Sequence, residues 1–350
     1  MSTAAFASSV RSFVVPPGSH AAEPPEQRGL GRDEVRLLVV RRQGVEHRRF
    51  RDLPELLSAG DLVVVNTSAT LPAALRARRA GESNVRLHVA GERVDGSWLV
   101  EIRNRDNSGP AVDVAVGEQL ELPGGVRLSV RSSYPPGRPR GRLWLASPDR
   151  PVDRLKFLGD NGDAIRYGYL SGDWPLSALQ NVYADEPGSA EMPSAGRPFT
   201  HRVLSRLRAR GVAVAPLVLH TGVSSPDKLE PPVSEEFRVP ASTARLVNET
   251  KAAGGRVVAV GTTVVRALES AAALTGALTA AEGWTELILD LHRPARAVDA
   301  LITGLHEPEA SHLQLLEAVV GPALVRTGYA AAVAERYLWH EFGDSMLLLP

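Results

Sequence analysis

The chain has 350 residues, 43% hydrophobic and 23% charged, enough apolar material to bury a substantial core and to build two domains. Forty Lys plus Arg balance forty Asp plus Glu, so no global positive field draws it to nucleic acid, and any RNA site has to be a local patch. Cysteine is absent, which excludes disulfides, thiolate catalysis and sulfur-built zinc sites. No apolar run approaches the roughly 18 residues that cross a bilayer, and a cytoplasmic protein without a membrane partner is expected.

After a loop rich in Pro and Gly, VRLLVV reads as a strand, LPELLSAG as a short helix and DLVVVNTS as a second strand ending near Asn66. From about Leu71 the pattern changes. VRLHV, SWLVEI, EQLEL, VRLSV and RLWLA are short strands separated by turn signals such as DNSGP and LPGG, the signature of a small antiparallel barrel. Beyond Val152 strands and helices alternate again: VAVAPLVLH, RVVAVGTT running into VVRALESAAALTG, ELILDL, then helical stretches around LLEAVVG and YAAAVAERY. The fold class read from this order is α/β, with residues 1–70 and 152–350 forming a larger discontinuous domain and residues 71–151 an inserted β-barrel domain.

The stretch RVVAVGTTVVRALESA carries the most information. An apolar strand enters Gly261, Thr262 and Thr263 follow, and a helix then carries Arg266 and Glu269. Such a junction offers free backbone N–H groups and hydroxyls to a polar or anionic ligand; a threonine at this place is equally suited to capping the helix. In HRVLSRLRARG, Arg202, Arg206 and Arg210 recur every four residues on one helix face, a spacing that fits either a phosphate-binding stripe or a solvated outer surface.

VGTTVVRALESA resembles the GTTSVRSLESA signature of the S-adenosylmethionine:tRNA ribosyltransferase-isomerases of queuosine biosynthesis. Other blocks follow in the same order: AGDLVVVNTSATLPAAL, LQNVYADEPGSAEMPSAGRPFT, APLVLHTG, VDALITGLHEPEASHL and FGDSM. Together they cover about Gly60 to Met346. The resemblance implies an α/β domain with an inserted β-barrel. It also implies transfer and isomerisation of the ribosyl part of S-adenosylmethionine onto an aminomethyl-deazaguanine at the tRNA wobble position, releasing adenine and methionine, with S-adenosylmethionine as substrate and no metal or redox cofactor.

That chemistry needs a base for the C–H beside the sulfonium, hydrogen-bond donors for the departing adenine, and a cradle for the methionine carboxylate. His220 ends a strand at the edge where α/β proteins place ligands, and Gly222 lets the chain approach a substrate. Asp299, His306 and Glu309 stand at matching positions of the VDALITGLHEPE block and, with His220, are the candidate catalytic set. Gly261, Thr262, Thr263, Arg266, Glu269, Gly222, Tyr183 and Asp344 are the candidate S-adenosylmethionine contacts, with Gly188 as a further lining position. HEPEASH has the wrong spacing for a zinc helix and carries a proline, so no metal site is expected there. For the anticodon loop of tRNA the candidate patches are Arg76, Arg78 and Arg79, and Arg202, Arg206 and Arg210.

The sequence also departs from the family pattern inside its motifs. Ala69 and Ala74 replace two arginines, Glu191 and Met192 replace two alanines, Arg197 and Pro198 replace a Leu-His pair, Val233 replaces a histidine, and Gly304-Leu305 replaces Asn-Phe. Two other classes therefore stay open: a paralogue that uses S-adenosylmethionine in small-molecule metabolism without tRNA, and a binding module without turnover.

Overall fold

A computed structural model describes residues 13–79, 84–136, 141–223, 233–272, 277–308 and 310–350. The first apolar run forms β1 (Arg36–Arg41), buried along its length, which turns at Gly44 into β2 (Gly44–Arg49), an exposed edge bearing Glu46, Arg48 and Arg49. Charge on an edge strand discourages further pairing. The next helix, α1 (Leu53–Leu56), is a single turn; β3 (Leu62–Asn66) is buried at every position, and β4 (Ser68–Thr70) leads out of the layer.

The chain then enters a closed antiparallel barrel of β5 (Ala74–Arg79), β6 (Val85–Glu92), β7 (Trp98–Ile102), β8 (Gln119–Glu121), β9 (Arg127–Tyr134) and β10 (Leu143–Pro148), in the order β10-β7-β6-β5-β8-β9. Closure leaves no free edge. The sequence reading lacked β5, although Ala74, Leu75 and Ala77 are buried while Arg76 and Arg78 are exposed, the two-residue period of a barrel wall. α2 (Arg154–Asn161) starts on an Asp153 cap, and its Leu158 and Phe157 pack onto the barrel, Phe157 lying 5.8 Å from the Trp98 ring. The barrel body thus continues past residue 151 before the chain returns to the main sheet.

On the way back β11 (Glu186–Ser189) pairs in parallel with β4. There follow α3 (His201–Ala209), β12 (Ala213–Leu219), β13 (Glu235–Val239), α4 (Ala241–Ala252), β14 (Val257–Val260), α5 (Thr262–Ala271), β15 (Ala281–Thr285), β16 (Ala300–Thr303), α6 (Ser311–Val320), α7 (Pro322–Ala334) and β17 (Ser345–Leu349). One nine-stranded sheet results, in the order β15-β13-β12-β3-β14-β16-β17-β1-β2. Its centre, β12-β3-β14-β16, is parallel. Side chains of α4 to α7 pack with Leu38, Val64 and Leu217 on one face, and those of α1 and α3 with Leu37, Val63 and Val258 on the other. Burial on both faces explains the unbroken apolar runs of β3 and β14.

ELILDL is not a strand. β15 lies just before it, and its ladder with β13 ends at the pair Thr285 and Glu235; beyond that the Leu287 carbonyl accepts from the Arg266 guanidinium (3.3 Å). Among the described residues no helix is long and apolar enough to cross a membrane.

One buried group makes the barrel acid-sensitive. His88 on β6 faces Glu101 on β7, but that carboxylate already accepts from Arg103 and Arg142, both at 2.6 Å. No negative charge is left to stabilise an imidazolium, and burial, followed by the nearby Arg103 and Arg86, lowers the His88 pKa to about 3. A depressed folded pKa means that its stability contribution is complete above the ordinary histidine value and is lost as pH falls from there toward the folded value. Between pH 7 and pH 5 this group should cost about 2 kcal/mol of folding free energy. Urea midpoints of the parent and His88→Leu at both pH values test it; equal losses in the two proteins would remove His88 as the cause.

Candidate functional site

At the carboxyl edge of the parallel strands one side chain joins three elements. The Asn66 carboxamide, at the end of β3, donates to the Leu219 carbonyl (2.8 Å) and to Thr263 Oγ1 (3.4 Å), and it accepts from the N–H groups of Leu219 (3.0 Å) and Ser68 (3.1 Å). The end of β12, and with it His220, is therefore fixed relative to the strand that feeds the barrel. The Ser68 hydroxyl lies 2.7 Å from His220 Nδ1 and 2.6 Å from Ser189 Oγ, and Ser189 Oγ accepts from the Thr221 N–H (3.0 Å). Gly188 completes the seat, since a Cβ there would overlap the imidazole. Burial lowers the His220 pKa, with Glu236 opposing, so the ring is neutral near pH 7 and available as a base.

His220 opens onto a cavity of about 380 Å³ between the barrel and the sheet edge. Glu92, Arg93 and Arg154 line it from the barrel side, and Gly188, Gly222, Glu235, Glu236 and Trp284 from the sheet side. The Gly222 N–H donates to Glu235 Oε1 (3.0 Å), and the other oxygen of Glu235 is ion-paired with Arg266. Arg93 sits over both Trp284 and Tyr134, with ring centroids 4.6 and 4.8 Å from its guanidinium carbon. Arg154, Nε 3.4 Å from Glu92, adds a second cation. Mixed charge around a partly open volume of this size suits a small ligand bearing both signs.

Of the residues nominated from sequence, the cavity wall contains His220, Gly222 and Gly188. Arg266 supports that wall through Glu235; it does not pair with Glu269 one turn on, as the helical spacing allowed. Its other donors go to the carbonyls of Val233, Thr285 and Leu287. Glu269 instead accepts from the consecutive N–H groups of Arg296, Ala297 and Val298 at 2.8–3.2 Å, anchoring the turn before β16. Gly261 (φ +88°) packs close to Ala195, and Thr262 and Thr263 begin α5, so this junction reaches the cavity only through the Asn66–Thr263 bond.

The remaining nominees lie elsewhere. Asp299 is at the opposite end of the sheet, bonded to the Val257 N–H (2.9 Å) and Lys251 (2.8 Å). Asp344 ties Arg36 (2.8 and 3.0 Å) to the Leu338 N–H (2.8 Å). Tyr183 packs edge-on against Phe199 and over Gly196. His306 is bonded to Thr303 Oγ1 (2.9 Å) and stacked on His312 (4.6 Å, 2°); burial drives its pKa well below the usual histidine value. Glu309 lies outside the described residues.

The basic patches divide. Arg78 pairs with Glu121, and Arg79 with Glu118 and Asp113, because β8 runs alongside β5; Arg206 binds Glu55 and the Arg51 carbonyl. Arg76, Arg202 and Arg210 are exposed, Arg76 only distantly paired with Asp163 (3.9 Å). Sequence reasoning missed Glu235, Glu236, Arg154 and Trp284, none of which stands in a spacing pattern that marks a site.

An α/β sheet with a β-barrel inserted after its second buried strand, and a charged cavity at their junction, defines the class of protein. Residues 9–348 match the family model described as queuosine biosynthesis protein. The S-adenosylmethionine:tRNA ribosyltransferase-isomerase of Thermus thermophilus is 37% identical over 96% of this chain and 98% of its own length. The enzyme of the same name from Moorella thermoacetica is 36% identical over the same shares. A crystal structure of an S-adenosylmethionine tRNA ribosyltransferase from Thermotoga maritima aligns with a TM-score of 0.53 at 29% identity, covering 97% of this chain and 100% of that one. The chain belongs to the queuosine biosynthesis protein family.

The Arg266–Glu235 pair is the main energetic support of the cavity wall. Removing the cation in Arg266→Met leaves a buried carboxylate and three carbonyls without their donor, which should cost about 3–5 kcal/mol. The double variant Arg266→Met/Glu235→Leu should recover part of that loss. Urea denaturation of the four proteins gives the coupling; additive losses would mean that the two side chains act independently.

Proposed function

We propose that the chain transfers and isomerises the ribosyl moiety of S-adenosylmethionine onto the aminomethyl-deazaguanine of tRNA in the cytoplasm, with S-adenosylmethionine as substrate and with no metal or redox cofactor in the reaction. The observation that carries this reading is the near full-length likeness to proteins named for S-adenosylmethionine:tRNA ribosyltransferase-isomerase activity. The cavity supports it. Glu236 suits the sulfonium or ammonium of the donor, and Arg154 and Arg93 suit its carboxylate, while Glu235 is held by Arg266 and the Gly222 N–H. Neutral His220 is the base for the acidified C5′ proton, oriented through Nδ1 by Ser68. For tRNA we assign phosphate contacts to the exposed Arg76, Arg202 and Arg210 and not to Arg78, Arg79 and Arg206, whose charges are already neutralised within the protein.

The test supplies labelled S-adenosylmethionine with tRNA bearing the aminomethyl base, and in parallel without RNA. Label entering tRNA, with adenine and methionine released only when tRNA is present, is the expected result. Equal release without RNA would transfer the activity to a small-molecule acceptor or to cleavage, and no turnover in either tube would leave a binding protein. Gly188→Ala tests the seat of the base: the added methyl forces the His220 ring off Ser68. Turnover should then fall by about tenfold or more, the scale of general-base catalysis, with the circular dichroism spectrum retained. Undiminished turnover would exclude His220 as the base.

A further inference from the structure

We propose that His20, Glu307 and His340 form a binding site for a divalent first-row transition metal, Zn²⁺ in particular, away from the cavity and serving as a structural clamp. The three side chains come from distant parts of the chain and converge on one point, with their ligating atoms all within 4.8 Å of one another. His20 Nε2 and His340 Nε2 each lie against the same carboxylate oxygen, Glu307 Oε1, at 3.0 and 3.1 Å. Zinc legs of about 2.0–2.1 Å at tetrahedral angles require ligand separations of roughly 3.3 Å, so the carboxylate moves slightly away from each imidazole and the two histidine nitrogens, which lie within 4.8 Å, rotate to that separation as the ion enters. Two imidazoles and a carboxylate, with water as the fourth ligand, form a donor set that zinc accepts.

Backbone bonds hold the histidine-bearing segments together, in addition to the edge contact of the two imidazoles at 4.5 Å. The Ala21 N–H donates to the Trp339 carbonyl (3.1 Å) and the Trp339 N–H to the Ser19 carbonyl (2.8 Å), which fixes the two histidine-bearing segments side by side. His340 is a non-glycine residue at φ +69°, a conformation that needs support from its surroundings. Tyr169 supplies part of it by stacking on the imidazole at 4.4 Å and 14°. The side chains of His20 and Glu307 are 42% and 44% exposed, which leaves an entry path from solvent.

These ligands share only Glu307 with the HEPEASH run, whose local spacing is wrong for zinc. An ion here joins the N-terminal segment, the loop after β16 and the turn before β17, and so fixes the loop that carries His306. The reaction does not pass through it.

Full-length, tag-free protein stripped with EDTA is titrated with Zn²⁺ by calorimetry and with Co²⁺ by visible absorption. One ion should bind per chain with micromolar or tighter affinity, and Co²⁺ should give the absorption bands of a tetrahedral nitrogen–oxygen site. Glu307→Gln should weaken Zn²⁺ binding about tenfold or more, and His20→Phe/His340→Phe about a hundredfold with loss of the Co²⁺ bands. Circular dichroism and melting in EDTA establish that the variants fold. Saturable binding that survives the double histidine substitution, or no binding at one ion per chain, would overturn the proposal and leave two imidazoles donating to a carboxylate.

Discussion

The geometry of the cavity depends on the carboxamide of Asn66. It is fully buried at the point where a parallel strand stops and the chain departs for the barrel, a place where several backbone groups lose their ladder partners at once. One side chain with two donors and an acceptor oxygen satisfies the Leu219 N–H and carbonyl, the Ser68 N–H and the first turn of α5. An aspartate would lack the donors and an aliphatic residue would leave all four groups without it. From this clamp follow the placement of Ser68, the bond from Ser68 to His220, and the aspect of the imidazole toward the barrel.

Much of the charge in the motifs is spent on architecture. Glu269, Asp299, Asp344 and Asp61 are acids at strand or helix boundaries, and each accepts backbone N–H bonds that an abrupt change of direction leaves unpaired. The side chains of Asp61 and Asp344 are nearly buried, with Arg256 and Arg36 completing their bonding. Burial costs such groups heavily unless every oxygen is matched, which is why they recur in fixed company and look catalytic in a one-dimensional reading. What separates Glu235 from them is position: one oxygen braces Arg266 while the residue also lines an open volume.

The fold was largely readable because the apolar runs of β3, β12 and β14 and the short alternating barrel strands differ in period, and the composition changes where the topology does. β5 was obscured by its arginines, which suggested a surface patch although they mark the outward positions of a wall. ELILDL failed for a different reason. Leu287 and Leu289 are buried but Leu291 is 50% exposed, and the ladder with β13 has already ended at Thr285, which no local pattern records. For the site, His220, Gly188 and Gly222 were accessible because a strand end and two glycines have conformational meaning. Arg154 and Trp284 were not, since they meet only when the barrel folds back over the sheet. The trio His20, Glu307 and His340 is the extreme case, its first two members standing 287 positions apart.

Three of the departures from the family pattern share one region of the fold, and a fourth stands in the cavity. Arg197, 2% exposed, donates to both oxygens of Glu26 (3.1 and 2.9 Å) and to the Ala178 carbonyl (3.0 Å) and lies over the Phe342 ring. It therefore binds the N-terminal segment to the turn before β17. Met192 packs with Phe342 and Leu170, and burial, followed by the charge of Glu191, raises the pKa of the Tyr167 hydroxyl. None of these three lines the cavity that holds His220 and Glu235, but Val233, which stands where the family pattern has a histidine, does. Arg197, Glu191 and Met192 thus lie beside the segments that carry His20 and His340, whereas Val233 changes the lining of the cavity itself. An isopropyl group in place of an imidazole removes a titratable donor from that lining, while Gly188, His220 and the Arg266–Glu235 pair keep their places, so the departures bear both on the cavity and on the region beside it.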